Sequence, residues 1–321
     1  MLRHTHLISK FNSWGSLEQG ISKLPDPKLR GDVFEEFCLA YLKLTPEYQI
    51  KSVWIQGNFP SHIIEKLKLS GQKDQGIDLV AETNNGSLWA VQAKFRSDRK
   101  NSVSYKELST FLAVSDRADY RLIISNTEQL PSIIGKRSRC GEALIDHLNV
   151  LDEKYFNRLH QFLEVGKPVE LKALSPKPHQ KDAISASTQH FQANDRGQLI
   201  MACGSGKTLT AVWIAEHLCS QKILVMVPSL ALMRQTVSVW AENFKSASLN
   251  YMCICSDASV AEEAKSDRPV GNLWEMDIPV TTNPQEAHKF IISNTQKPLI
   301  IFSTYQSSDV DLPPKNWTVY K

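Results

Sequence analysis

Residues Lys73 to Phe95 read KDQGIDLVAETNNGSLWAVQAKF. Two runs of alternating apolar and polar residues flank Asn84-Asn85-Gly86, a pattern that predicts a β-hairpin over Ile77–Phe95. A three-residue turn over 84–86, with Gly86 left-handed, sets Leu79 against Val91 and Ala81 against Trp89. In that register apolar faces apolar, Asp78 falls opposite Gln92, and Lys94 lies two residues along on the same face. An even turn would set Asp78 against Ala93 and scatter the three polar groups.

A carboxylate, a second oxygen ligand and a lysine on one face suit phosphodiester hydrolysis with Mg²⁺, which takes oxygen ligands and keeps several waters. Asp78 and Gln92 read as the metal ligands, and Lys94 as the group that stabilises developing charge or orients the attacking water. Upstream, Gly31 to Leu44 reads as a helix whose apolar stripe is Phe34, Phe37, Cys38 and Tyr41. Glu35 or Glu36 would add a carboxylate if this helix packs across the hairpin end, and Glu35 lies nearer the flank of the stripe. Downstream come a helix over Tyr105–Val114 and a strand over Tyr120–Ser125. Asn126 follows at a loop start, where Asn commonly makes a turn. Arg96, Arg99 and Lys100 read equally as phosphate contacts or as a charged loop.

Gly76-Ile77-Asp78 followed by Gln92-Ala93-Lys94 resembles the PD-(D/E)XK nucleases, in particular the Mrr-like restriction branch with its G-x-D strand and Q-x-K. The resemblance implies DNA cleavage by Asp78, Gln92 and Lys94, with Glu35 as a further catalytic carboxylate. Glutamate is commoner at the Gln92 position in the wider superfamily, so glutamine removes one negative charge at the metal. The competing reading of the same residues is Asp78 capping a turn, with Gln92 and Lys94 on a solvated strand face.

The second half of the chain predicts a helix (Gln180–Gln192), a strand (Gln198–Ala202), a helix (Thr208–Cys219), a strand (Lys222–Val227) and a helix (Ala231–Phe244), the alternation of a parallel sheet. Ser256 to Gln296 reads as irregular, with short helices. Between the first strand and second helix stands MACGSGKT, residues 201–208. Gly204, Ser205 and Gly206 let backbone N–H groups curl around a phosphate, Lys207 would span the β- and γ-phosphates, and Thr208 would bind Mg²⁺. Met201 stands where the general phosphate-loop pattern has its first glycine.

This half resembles superfamily 2 helicases and, among them, the motors of ATP-dependent restriction enzymes. Pro178-His179-Gln180 resembles the Q-type motif, which places Gln180 at the adenine edge; VPSLALMRQT (227–236) resembles motif Ia, through Pro228 and Ser229; IFSTYQSS (301–308) resembles a DNA-tracking strand end, through Ser303, Thr304 and Gln306. The implied ligands are ATP, Mg²⁺ and DNA. No Walker B acid pair follows Lys207: Glu262-Glu263 lies in a polar stretch, Asp309 and Asp311 in a Pro-bounded loop, and NWTVYK falls where the family's Walker B strand would begin. The expectation is a partial motor that binds ATP weakly and hydrolyses it near background. Its partners would include a separate chain completing the motor, or a second copy for double-strand cleavage.

The full length of 321 residues suggests two domains. The composition shift in VGKPVELKALSPKPHQ (165–180) divides a nuclease domain at 1–165, a linker with the Q-type motif at 166–180, and an ATP-binding domain at 181–321. The expected class is α/β: a restriction-endonuclease-like mixed sheet followed by a partial RecA-like parallel sheet. That order resembles the type ISP restriction-modification enzymes. With 42% apolar residues and a net charge of +3, the chain is neither disordered nor basic enough to announce nucleic acid by charge alone. No apolar run reaches the ~20 residues of a membrane span, and MLRHTHLISK lacks a signal core, so a cytoplasmic protein without membrane partners is expected. Six cysteines without C-x-x-C spacing read as reduced, mostly buried thiols. The nine histidines form no zinc pattern, and His4 and His6 read as solvent-exposed. Two other readings stand beside the enzyme: a non-catalytic nucleic-acid binding module, and a truncated helicase fragment.

Overall fold

The computed structural model describes residues 2–70, 76–134, 137, 139–168, 174–245, 249–255, 276–293, 297–307 and 318–320. Lys73 to Gln75, Glu262-Glu263, Asp309, Asp311 and the Gln306 side chain lie outside them.

The hairpin takes the register that the turn residues dictate. β2 (Leu79–Thr83) and β3 (Leu88–Lys94) pair antiparallel with Leu79 against Val91 and Ala81 against Trp89. The Thr83 N–H donates to the Ser87 carbonyl at 3.0 Å, closing the loop over 84–86, and Gly86 has φ +86°. β1 (Ile50–Ile55) adds antiparallel to β2, while β4 (Tyr120–Ser125) and β5 (Cys140–Ala143) continue in parallel beyond β3. The result is a five-stranded mixed sheet in the order β1-β2-β3-β4-β5.

Helix α3 (Pro27–Leu44) starts where Asp26 accepts from the Lys28 N–H and Pro27 pre-sets the first turn. It follows α1 (Thr5–Ile8) and α2 (Trp14–Ser22) and packs against β1 and β3. Its stripe of Phe34, Phe37, Cys38 and Tyr41 is buried, and rings continue it from Trp14 through Phe37, Tyr41 and Tyr48 to Trp89 and Tyr120. After the short α4 (Ser61–Leu67), α5 (Tyr105–Val114) makes the β3-to-β4 crossover; a Ser104/Glu107 capping box opens it, and it buries Leu108 and Phe111 with Val80, Ala90 and Ile123. Burial on both faces explains why β3 and β4 are nearly continuous in apolar residues. α6 (Ile145–Asn149) and α7 (Glu153–Val165) complete this part of the chain.

By its contacts the chain forms two units, one of residues 1–170 with 272–279 and one of 171–271 with 280–321. In the first, the Tyr48 hydroxyl donates at 2.6 Å to the fully buried Asp277 carboxylate, and the Tyr120 hydroxyl donates to the Met276 carbonyl at 3.2 Å. Gly141 lies against both Tyr120 and Met276, and a Cβ there would overlap them.

The second unit is built on a parallel sheet of β6 (Lys222–Val227), β7 (Asn250–Ile254), β8 (Val280–Thr281), β9 (Leu299–Thr304) and β10 (Thr318–Tyr320), in the order β10-β6-β9-β7-β8. Its helices are α8 (Pro178–His190), α9 (Lys207–His217), α10 (Leu230–Asn243) and α11 (Pro284–Ile292). The strand expected over Gln198–Ala202 does not form. That segment joins no ladder, Ile200 is 85% exposed, and the sheet's edge beyond β6 is held by the three residues of β10. A short apolar run becomes a strand only where a neighbouring edge takes its N–H and C=O groups. Among the described residues no helix is long and apolar enough to cross a membrane.

Candidate active site and phosphate loop

Asp78 lies where β2 begins, and its own N–H donates to the Val91 carbonyl at 3.1 Å. Its Oδ2 accepts from the Ala93 N–H at 2.8 Å and, in a short contact, from the Gln92 side-chain amide. Asp78 is 8% exposed and Gln92 1%, so the carboxylate is held by charge-assisted bonds in a nearly dry setting. Lys94, at the end of β3, is half-buried.

The two glutamates of α3 part company. Glu36 is buried and spent on the N-terminal segment, accepting from the backbone N–H of Arg3 at 2.6 Å and of His4 at 2.8 Å, with His4 Nδ1 at 3.2 Å. His4 is therefore engaged rather than free in solvent. Glu35 is half-buried one turn before Cys38. Burial pushes the Cys38 thiol well up, and the Glu35 and Asp78 carboxylates add to the rise, so both act on one buried point.

Asp78, Gln92 and Glu35 carry side-chain oxygens of the kind Mg²⁺ takes while keeping waters. In the state described, Gln92 turns its nitrogen to Asp78, and offering its oxygen to a cation requires the amide to turn over. Among the described residues no three His, Cys, Asp or Glu side chains gather as a metal cluster. All six cysteines are free; Cys203 and Cys219 are exposed and the other four buried.

Arg96 and Arg99, read from sequence as possible phosphate contacts, are taken up in ion pairs, Arg96 with Glu107 and Arg99 with Glu18 of α2. Asn126 does more than make a turn: it is fully buried and bonded to Arg96 and Glu18. Glu18 carries no motif in the sequence, and only its burial in a short helix reveals it.

In the second unit Gly204 and Gly206 take φ +75° and +82°, left-handed values that let the loop curl ahead of α9. Lys207 opens the helix with its Nζ folded back to 3.2 Å from the Ala202 carbonyl and 3.4 Å from that of Met201, and Thr208 follows in the first turn. Gln180 is buried in the first turn of α8. Its Nε2 donates to the Ser205 carbonyl at 3.0 Å and its Oε1 accepts from the Lys177 N–H at 2.9 Å. Both ends of the amide expected at an adenine are thus engaged with the loop and its own helix start. A Cβ on Gly206 would stand 2.6 Å from Gln180 Nε2, so the loop needs glycine there. The loop and helix start fit a nucleotide phosphate.

Ser229 caps α10, accepting from the Leu232 N–H at 3.3 Å. Ser303 and Thr304 are buried at the end of β9, with Thr304 Oγ1 2.7 Å from Ser307 Oγ. These are the hydroxyls that the motif resemblance sets against DNA; in the structure each bonds within the fold.

A mixed sheet bearing G-x-D and Q-x-K, followed by a parallel sheet with a phosphate loop, is the order of a restriction-endonuclease-like domain joined to a helicase-type domain. Family comparison agrees: residues 43–137 match the Mrr-type restriction endonuclease family, and residues 173–317 match the family described as type III restriction enzyme, res subunit. The chain carries a restriction endonuclease domain followed by a ResIII helicase domain. It is 33% identical over 141 residues to a probable helicase of African swine fever virus from a Malawi tick isolate, which covers 42% of this chain and 14% of the viral protein. The counterpart from a South African tick isolate is 32% identical over 136 residues, with the same coverage of 42% and 14%. Among solved structures, the DNA-bound ATP-dependent type ISP restriction-modification enzyme LlaBIII superposes with TM-score 0.69 at 29% identity, over 92% of this chain and 19% of that one. The chain therefore spans under a fifth of the length of these relatives.

Proposed function

We propose that the chain is the nuclease-bearing part of an ATP-dependent DNA restriction endonuclease of the cytoplasm. The observation that carries this reading is the convergence of the Asp78 carboxylate, the Gln92 amide and the Ala93 N–H at the end of β3, with Lys94 next along the strand and Glu35 on α3 acting, like Asp78, on the buried Cys38. Asp78, Gln92 and Glu35 would hold Mg²⁺, which when bound supplies a Lewis acid and a more acidic water. The Ala93 N–H and the sheet fix the Asp78 carboxylate in place, and Lys94 would stabilise the negative charge that grows on a scissile phosphate. In the second unit Gly204, Ser205 and Gly206 would wrap the ATP phosphates. Lys207 would swing from the Ala202 carbonyl to the β- and γ-phosphates, Thr208 would hold the associated Mg²⁺, and Gln180 would brace the loop through Ser205. DNA and ATP are the proposed partners.

The test is nicking of supercoiled plasmid by the purified chain with Mg²⁺ or Mn²⁺, with and without ATP, beside Asp78→Asn. Nicking that the substitution abolishes supports the reading. DNA binding without nicking in any metal overturns it in favour of a non-catalytic binding module.

A further inference from the structure

The strand end that carries Lys94 is gripped by side chains the proposed chemistry does not use. Ser125 Oγ donates to the Lys94 carbonyl at 2.7 Å. Asn126 holds both backbone groups of Arg96: its Oδ1 accepts from the Arg96 N–H at 2.7 Å, and its Nδ2 donates to the Arg96 carbonyl at 2.7 Å. The same Nδ2 donates to Glu18 Oε1 at 2.7 Å. Arg99 Nε donates to the two Glu18 oxygens at 2.8 and 3.0 Å, and its terminal nitrogen closes a further contact to Oε2. The bonds form a ring from α2 through the β4 end to the β3 end and the following loop, and back to α2.

Every polar atom of the Asn126 side chain is committed in this ring, and the residue is fully buried. A turn-forming asparagine would bond its own neighbours; this one reaches 30 residues back along the chain to Arg96 and 108 to Glu18. The parallel ladder pairs Lys94 with Ser125, so the Asn126 grip begins where that ladder ends. Beyond it the backbone would be free to fray.

We propose that Asn126 is a positioning residue for cleavage. It fixes the Lys94–Arg96 backbone so that Lys94 keeps its place at the end of β3 when the DNA phosphate arrives, and Glu18, clamped by Arg99, holds the Asn126 amide in the required orientation. The inference rests on the nuclease reading of Asp78, Gln92 and Lys94. Misplacement of a reacting group by about 1 Å costs on the order of 10²-fold in rate, so loss of this grip acts on the chemical step rather than on binding.

The experiment compares the full wild-type chain with Asn126→Ala, Asn126→Asp, and Asn126→Asp combined with Glu18→Gln, all shown to melt cooperatively. Single-turnover nicking is followed as a function of DNA and of Mg²⁺. Asn126→Ala is expected to slow nicking about 10- to 100-fold at saturation, with both half-saturating concentrations unchanged. Asn126→Asp keeps the volume and the acceptor for the Arg96 N–H but replaces the amide donor with a carboxylate oxygen that faces the Glu18 carboxylate; it is expected to be as slow, and Glu18→Gln to restore a large part of the rate by supplying a donor to that oxygen. Amide exchange gives a readout independent of catalysis: the Arg96 N–H is expected to lose protection in Asn126→Ala while Ala90 and Val91 keep theirs. Wild-type rates in Asn126→Ala, a loss confined to half-saturation, no rescue by Glu18→Gln, or unchanged Arg96 exchange each overturn the proposal. A wild-type chain that never nicks overturns instead the reading beneath it, and the two failures are thereby distinct.

Discussion

Asp78→Ala, the obvious knockout, should damage the fold as well as the chemistry. Asp78 Oδ2 receives the Ala93 N–H and the Gln92 amide, and Gln92 is 1% exposed, so truncation leaves two buried donors without their acceptor. Each such orphan costs about 1–3 kcal/mol. Local relaxation of the two donors returns part of this, and a net loss of about 2–4 kcal/mol remains. For a unit of this size 1 kcal/mol moves the melting midpoint by roughly 2–4 °C, so Asp78→Ala should melt about 4–16 °C below wild type. Asp78→Asn keeps an oxygen for the Ala93 N–H and should melt within a few degrees of wild type, yet lose nicking by at least about 10³-fold because the charged ligand is gone. Differential scanning calorimetry at neutral pH reads the first quantity and plasmid nicking the second. If Asp78→Ala melts with wild type, the two bonds do not carry the stability assigned to them; if Asp78→Asn nicks normally, Asp78 is no metal ligand.

Lys207→Ala should abolish binding of a fluorescent ATP analogue while sparing ATP-independent nicking; loss of both would show the two sites to be coupled. Glu107 is held down at about 2, chiefly by the Ser104 backbone N–H and then by the Ser104 hydroxyl and Arg96. A carboxylate depressed on folding stabilises above its ordinary value near 4.5 and loses that contribution as pH falls towards about 2. Glu107→Gln should therefore flatten the acid limb of stability in that window, modestly because the side chain is 42% exposed, as read from melting midpoints across pH. Gly141→Ala sets a methyl against Tyr120 and Met276 and should destabilise the chain by about 1–3 kcal/mol in urea unfolding, since both neighbours are held in place.

The nuclease sheet was legible wherever local chemistry and burial point the same way. The 84–86 loop with left-handed Gly86 sets the hairpin register, and with it the Asp78–Gln92 encounter. The Ser104/Glu107 box marks the start of α5, and β4 is a continuous apolar run between turn residues. Helical periodicity set Glu35 nearer the flank of the apolar stripe, but the burial of Glu36 was beyond it, because its partners Arg3 and His4 lie 33 and 32 residues away. The same holds for Glu18, whose burial depends on Arg99 and Asn126 rather than on anything in α2. The error at Gln198–Ala202 has the opposite origin: an apolar run implies a strand only when a sheet edge is there to receive it.

The segment 272–279, which belongs to the first unit while the chain on both sides belongs to the second, has a consequence for how the protein is made. Domains usually complete themselves in the order in which they leave the ribosome. Here the nuclease unit must wait: until residue 277 has been synthesised, the Tyr48 hydroxyl lacks its buried acceptor, and the Tyr120 hydroxyl and Gly141 face a gap where Met276 belongs. Residues 1–170 expressed alone would carry that gap permanently. The first unit can thus close its core only after the phosphate loop at 201–208 has already been translated.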